Sequence, residues 1–129
     1  MLATEESKRL AKEIFNADRQ IVHLGILDIQ GNVFLDQSSA AISPNEPDPD
    51  RVQFYKQLGV RRNAREHFDD VYGKTDYIHI NREKMQQLIL YLPEITIYAT
   101  LEKSMTPEEV KGAAQKIKFL HSEVIKNGI

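Results

Sequence analysis

The sequence contains no cysteine in its 129 residues. Disulfide bonds, thiolate metal sites and cysteine nucleophiles are therefore excluded. The formal net charge is only −2, so no general positive field would attract nucleic acid or anionic lipid. We expect neither a nucleic-acid partner nor a membrane partner.

Long apolar runs are also missing. No segment approaches the roughly 20 apolar residues that a transmembrane helix needs. The start of the chain, MLATEESKRL, is charged where a signal peptide would be apolar, so we expect no signal peptide. These absences predict a soluble protein of the cytoplasm, and the lack of cysteine is consistent with a reducing compartment.

Catalytic signatures are equally scarce. The sequence has no glycine-rich phosphate loop, and Ser38 and Ser39 lie outside any nucleophile-elbow pattern. The four histidines lack the spacing of a metal site. His23 and His79 alternate with apolar residues, which favours hydrogen-bonded histidines on a sheet face. We therefore predict a protein that is not an enzyme, with no catalytic residue, no metal and no cofactor.

The apolar pattern predicts three helices and five strands in the order helix–strand–strand–helix–strand–strand–strand–helix. A single α+β domain over residues 1–129 accounts for this order. The turns between the strands are short, so the five-stranded sheet should be antiparallel. The predicted helices cover residues 4–16, 49–72 and 107–126, and the predicted strands cover residues 20–29, 33–36, 76–81, 85–92 and 95–102.

Residues 37–50 contain three of the five prolines and almost no large apolar group. This composition predicts a mobile, proline-rich loop. Two interpretations remain open, a solvated connector and a lid or tether. The segment leads into Asp48-Pro49, which is typical of a helix N-cap followed by proline at the first helical position.

The second predicted helix carries an unusual stripe of side chains. At 100° per residue, one face collects four apolar or aromatic residues and two arginines: Phe54, Leu58, Arg61, Arg65, Phe68 and Tyr72. If this face meets the sheet, two guanidinium groups are partly buried and need partners. Because arginine forms forked contacts with carboxylates and phosphates, the stripe indicates an anion-binding or partner-docking site. The alternative is a structural network with acids such as Asp28, Asp36 or Glu83.

Arg82-Glu83-Lys84 places two further cations at the tip of a predicted hairpin. A solvated turn is the simpler interpretation. If this tip lies near Arg61 and Arg65, Arg82 and Lys84 would extend the same ligand-binding site.

The hairpin Gly25–Leu35, the three later strands and the closing helix resemble the roadblock (dynein light chain) domain family, which is related to profilin-like folds. The resemblance covers nearly the whole chain. It implies a homodimer in which two sheets join edge to edge and the second helices pack together.

A narrower resemblance is to small archaeal proteins with no assigned activity, chiefly from ammonia-oxidising archaea. It rests on the Gly25-Ile26 step, the Arg61-x-x-x-Arg65-x-x-Phe68-Asp69 segment, Gly73 and Arg82-Glu83-Lys84. The resemblance implies an archaeal origin and no particular chemistry.

Two functional hypotheses follow. In the first, the chain is a non-catalytic protein-interaction or regulatory module, homodimeric, with an unidentified protein partner. In the second, it is a small-molecule or anion sensor in which Arg61 and Arg65 hold a carboxylate or phosphate beneath the loop at residues 37–50. No motif supports a third class, an enzyme.

Overall fold

The computed structural model describes residues 4–39 and 49–126. The predicted order of helices and strands is confirmed, except that the second predicted helix is divided in two. The elements are α1 (Thr4–Ala17), β1 (Ile21–Asp28), β2 (Val33–Ser38), α2 (Pro49–Glu66), α3 (Asp69–Tyr72), β3 (Ile78–Asn81), β4 (Gln86–Leu92), β5 (Ile95–Leu101) and α4 (Pro107–Lys126). Most of the predicted loop, residues 40–48, lies outside the described residues.

The five strands form one antiparallel sheet in the order β2-β1-β5-β4-β3. The central strands β1, β5 and β4 are buried along most of their length, as their near-continuous apolar runs require. β2 and β3 form the two edges. Because the edges are exposed on one side, any extension of this sheet must start from β2 or β3.

Helices cover both faces of the sheet. On one face, α1 and α4 enclose the larger core, in which alternate residues of β4 and β5 such as Leu88, Leu90 and Ile97 point inward. On the other face, Tyr55 and Leu58 of α2 pack in a smaller core. The predicted capping box starts α4: the Glu109 amide donates to Thr106 Oγ1 at 3.1 Å, and the Thr106 amide donates to Glu109 Oε1 at 2.9 Å.

The prediction of one helix over residues 49–72 is wrong at Glu66, where α2 ends. The amide of Phe68 donates to the Arg65 carbonyl at 3.1 Å, a tighter turn than an α-helix makes. α3 then begins at Asp69, and Gly73 closes it at φ 84°. Asp69 and Asp70 are weak residues for a helix interior and favourable ones for a first turn, which explains why the helix restarts there.

Two glycines bring α2 against the β1–β2 turn. A Cβ atom on Gly59 would clash with the Gln30 carbonyl, and one on Gly31, at φ 89°, would clash with the backbone of Tyr55. Only glycine permits this approach. Gly59 therefore sits in mid-helix for a packing reason, despite its low helix propensity.

We predict that Gly59→Ala lowers the free energy of unfolding by about 1–3 kcal/mol, because the new methyl group must displace backbone atoms. Gly112, also inside a helix, is the matched control, because a Cβ atom there would meet nothing within 4 Å. Gly112→Ala should raise the stability by up to about 1 kcal/mol through helix propensity alone. Urea unfolding of both variants measures the contrast, and equal effects at the two positions would contradict the close approach.

Candidate functional site

Arg61 and Arg65 are exposed in the structure. The expectation that they lie on the buried face of the helix is therefore wrong. Arg65 donates from Nη1 to the hydroxyl of Tyr91 at 2.7 Å, in an exposed position. Their assignment to an anion site stays a prediction.

The buried arginine of α2 is Arg62, whose relative exposure is 5%. Its Nη1 donates to the Ile95 carbonyl at 2.5 Å and to Thr96 Oγ1 at 3.0 Å. Its Nη2 donates to the Leu92 carbonyl at 2.8 Å, and its Nε donates to Glu66 Oε2 at 3.0 Å. The guanidinium carbon also lies 5.1 Å from the centre of the Tyr91 ring, within the range of a cation–π contact.

These contacts fasten α2 to the β4–β5 turn. The carbonyls of Leu92 and Ile95, which flank the turn, both accept hydrogen bonds from the Arg62 guanidinium. A structural network was one of the two interpretations of the sequence, and the structure shows it on Arg62. Its carboxylate is Glu66, not the expected Asp28, Asp36 or Glu83.

The prediction placed Arg61 on the buried face instead of its neighbour Arg62, for a simple reason. The buried side of α2 consists of Tyr55, Leu58, Gly59 and Arg62, which follow the three- and four-residue spacing of one helix face. The predicted stripe lay on the neighbouring face because it included the aromatic residues Phe54 and Phe68. The useful signal was Gly59, because a glycine inside a helix costs stability and can have a packing reason.

Arg82 and Lys84 are exposed in the turn between β3 and β4. The Arg82 carbonyl accepts a hydrogen bond from Lys103 Nζ at 2.5 Å. Arg65 contacts Tyr91 near the end of β4, whereas Arg82 and Lys84 precede the start of that strand. The structure therefore does not show the four predicted ligand-binding residues as one site, and their common role stays a prediction.

A partly buried polar cluster, which the sequence did not predict as a unit, lies between the β1–β2 hairpin and the start of α2. Asp36, with 2% of its side chain exposed, lies at its centre. Its Oδ1 is 2.6 Å from His23 Nε2 and accepts from the Tyr55 hydroxyl at 2.5 Å, and its Oδ2 accepts from Arg51 Nη1 at 2.7 Å. Ser38 Oγ lies 3.0 Å from the other ring nitrogen of His23.

The sheet register and one glycine position this cluster. His23 stands opposite Ser38, and Gly25 stands opposite Asp36. A Cβ atom on Gly25 would lie 2.7 Å from the Tyr55 hydroxyl oxygen, so the glycine leaves the space through which Tyr55 reaches Asp36. The signal in the sequence was His23 within the apolar run of β1 and the polar end of β2, but pairing across strands depends on a register that the turn alone does not fix.

The electrostatics of the cluster favour a charged Asp36. Burial alone would raise the pKa of its carboxyl, but hydrogen bonds from His23, Tyr55 and Arg51 outweigh burial and lower that pKa to about 2. Burial and the neighbouring carboxylate raise the pKa of the Tyr55 phenol above its usual range. Tyr55 therefore remains a hydrogen-bond donor to Asp36 at physiological pH.

A hydrogen-bonded series of serine, histidine and aspartate also occurs in hydrolytic enzymes, so the hydrogen-bonding role of each group here matters. With Nε2–H donated to Asp36, Nδ1 of His23 accepts the Ser38 hydroxyl. Each of these groups is engaged within the protein, and the bonds join β1, β2 and α2. This arrangement is that of a structural tie, in which the polar groups satisfy one another.

An exposed apolar surface follows α2. Its members, the α3 patch, are Phe68, Val71 and Tyr72, with relative exposures of 53%, 72% and 82%. The Phe68 and Tyr72 ring centres are 6.2 Å apart. A shallow pocket of about 250 Å³ runs between these two rings, Arg65 and Thr75. Residues 73–77 then lead directly into the edge strand β3.

No group of three or more His, Cys, Asp or Glu side chains in residues 4–39 and 49–126 is placed to hold a metal ion. No helix within those ranges has the length and apolar character needed to span a bilayer.

Comparisons with known proteins identify the fold. No model of a known protein family matches the sequence, and neither does any curated protein. Among solved structures, a gliding protein MglB from Thermus thermophilus aligns with a TM-score of 0.72 at 9% identity, over 96% of this chain and 91% of that one. A Streptomyces avermitilis roadblock/LC7 domain aligns with a TM-score of 0.62 at 10% identity, over 92% and 94% of the two chains.

Profilin from Schizosaccharomyces pombe aligns with a TM-score of 0.59 at 12% identity, over 92% of this chain and 95% of the profilin chain. Identities this low carry information about the fold alone. The likeness to roadblock, MglB and profilin structures agrees with the sheet order and the two helical layers described above. The chain therefore has the roadblock/profilin-like fold.

Proposed function

We propose that this chain is a non-catalytic protein-interaction module that associates with a second copy of itself. The observation that carries the proposal is the continuity between the α3 patch and the free edge strand β3. An exposed apolar surface beside an unpaired strand supplies the two kinds of contact that self-association needs, namely apolar burial and backbone hydrogen bonds.

The β3 edge can extend the sheet. β3 pairs with β4 alone in the described sheet, so the outer side of this four-residue strand carries backbone donors and acceptors with no strand beside them. A second β3 in antiparallel orientation would satisfy these groups. The pairing would be the same for both copies, as a two-fold interface requires.

The α3 patch would supply the apolar part of the interface. Three large side chains that are each more than half exposed within five residues form an unusual surface. Aromatic residues and arginine dominate the energetic centres of protein interfaces, and Arg65 lies beside Phe68 and Tyr72.

The fold also supports an interaction role. An MglB structure of the same fold is described with a tetrameric arrangement, which shows that such a domain is compatible with self-association. The two polar networks described above, around Arg62 and around Asp36, join separate elements of the fold. We place the module in the cytoplasm on the basis of its cysteine-free composition.

The test is the molar mass measured by light scattering over a wide range of concentrations. At a concentration where the unmodified protein is fully associated, the double variant Phe68→Ser/Tyr72→Ser should lower the average mass to half or less. Its unfolding temperature should change little, because both side chains are more than half exposed.

Ile29→Ser is the matched control, since Ile29 is a comparably exposed apolar residue, at 48%, in the β1–β2 turn. It should leave the mass unchanged. A protein that stays monomeric at every concentration, or an equal loss of mass for the control, would refute the proposal.

A further inference from the structure

A second surface lies on the opposite face of the sheet, between α1 and α4. Ala17 lines a groove together with Gly112 and Lys116, whereas Arg9 lines its continuation with Glu123. The two helices are therefore antiparallel. The two parts of the groove have volumes of about 390 and 300 Å³, and Leu120 lies in the lining of both.

Four residues of α4 form one stripe along this groove, the α4 stripe: Gly112, Lys116, Phe119 and Glu123. Their spacing of four, three and four places them on one helix face. Phe119 stands near the middle and is 61% exposed, while Gly112 leaves open space at one end. Neither Lys116 nor Glu123 has an ion-pair partner among the described residues.

This stripe is complementary to itself. Lys116 and Glu123 are seven residues apart, about 10.5 Å along the helix axis, with Phe119 between them. If a second α4 lies antiparallel on the first, Lys116 of each copy meets Glu123 of the other. The same register brings Phe119 of each copy against Leu120 of the other, so both charge pairs and both apolar contacts form at once.

We propose that the α4 stripe is a two-fold contact with a second copy of this chain. An isologous contact requires that residue i meets j while j meets i, and the single lysine and single glutamate of the stripe meet this condition in one register only. The exposed Phe119 would enter the groove beside Leu120 of the other copy. Lys116 and Glu123 would fix the register at the rim, as charges at interfaces do.

This contact does not depend on the β3 edge, because α4 and α2 cover opposite faces of the sheet. A chain with only one of the two contacts would form dimers. With both, the chain would form assemblies larger than a dimer, a closed tetramer if the two two-fold axes meet at right angles and an open-ended chain otherwise. The two interfaces can therefore be removed one at a time, and the failure of one proposal leaves the other measurable.

A charge swap tests the contact. Lys116→Glu places glutamate against glutamate at both ends of the interface, and Glu123→Lys places lysine against lysine, so each single variant should weaken the contact at least about tenfold. The double variant Lys116→Glu/Glu123→Lys restores both opposite pairs and should recover the affinity. Phe119→Ser should abolish the contact, and the charge swap should not restore it.

The measurement is the dissociation constant of self-association by analytical ultracentrifugation, made in the Phe68→Ser/Tyr72→Ser background, where the α3 patch is disabled. Lys111→Glu is the control, because Lys111 is an exposed lysine of α4 outside the stripe, and it should leave the constant unchanged. A monomeric background protein, or a double variant as weak as the single ones, would overturn the proposal. Loss of the α3-patch contact alone would leave it intact.

Discussion

Replacing Arg62 with alanine is expected to lower the free energy of unfolding by about 3–5 kcal/mol, the largest effect of any single substitution proposed for this chain. The change removes four hydrogen bonds at once. It takes the guanidinium donors away from the carbonyls of Leu92 and Ile95 and leaves Glu66 without its cation, and the loss of charged hydrogen bonds at buried acceptors is costly. Urea unfolding followed by circular dichroism measures the loss.

Arg61→Ala is the matched control, since Arg61 is the adjacent residue and is exposed. It should change the stability by less than about 0.5 kcal/mol. Arg62→Lys should still lose most of the stability, because one ammonium group cannot reproduce the forked contacts of a guanidinium. Equal losses for Arg61→Ala and Arg62→Ala would mean that α2 presents a different face to the sheet.

The second large effect is expected at Asp36. Asp36→Ala should lower the stability at neutral pH by about 3 kcal/mol, because His23, Tyr55 and Arg51 lose their common, almost fully buried acceptor. Asp70→Ala is a suitable control, since Asp70 is an exposed carboxylate in α3. It should cost less than about 0.5 kcal/mol.

The Asp36 effect should also depend on pH. The folded-state pKa is about 2 and the ordinary value is 3.8, so the folded state binds this proton less readily than the unfolded state. The difference stabilises the fold by about 2 kcal/mol above pH 3.8, and that contribution is lost as the pH falls through 2. The gap in stability between the unmodified protein and Asp36→Ala should therefore narrow below pH 4. A gap that stays constant down to pH 2 would contradict the shared-acceptor geometry.

Local patterns predicted the fold well. Thr106-Pro107 and Glu109 correctly predicted the start of α4, and Gly73 correctly predicted the end of a helix. Helix caps depend on residues close in sequence. The β-branched runs placed all five strands within a few residues. The predicted loop at residues 37–50 overlapped the end of β2, because Gln37 and Ser38 pair with β1 residues that no local pattern reveals.

The candidate site was less predictable because it depends on contacts between distant segments. One residue on α2 shifts the helix face by 100°, so the choice between Arg61 and Arg62 depended on which side approached the sheet. The close approach of Gly59 to the Gln30 carbonyl, 29 positions earlier in the chain, turns the Arg62 side of α2 toward the sheet. Similarly, His23 and Asp36 meet through strand register, and Tyr55 joins them only because Gly25 leaves space.

The break at Glu66 separates two tasks that a continuous helix would have combined. α2 is held at the β1–β2 turn through Gly59 and at the β4–β5 turn through Arg62, whereas α3 contains no buried residue. Mutations in α3 can therefore alter the α3 patch without loosening the core. In evolutionary terms, such a surface is free to change its binding preference while selection for a stable fold acts on the helix before it.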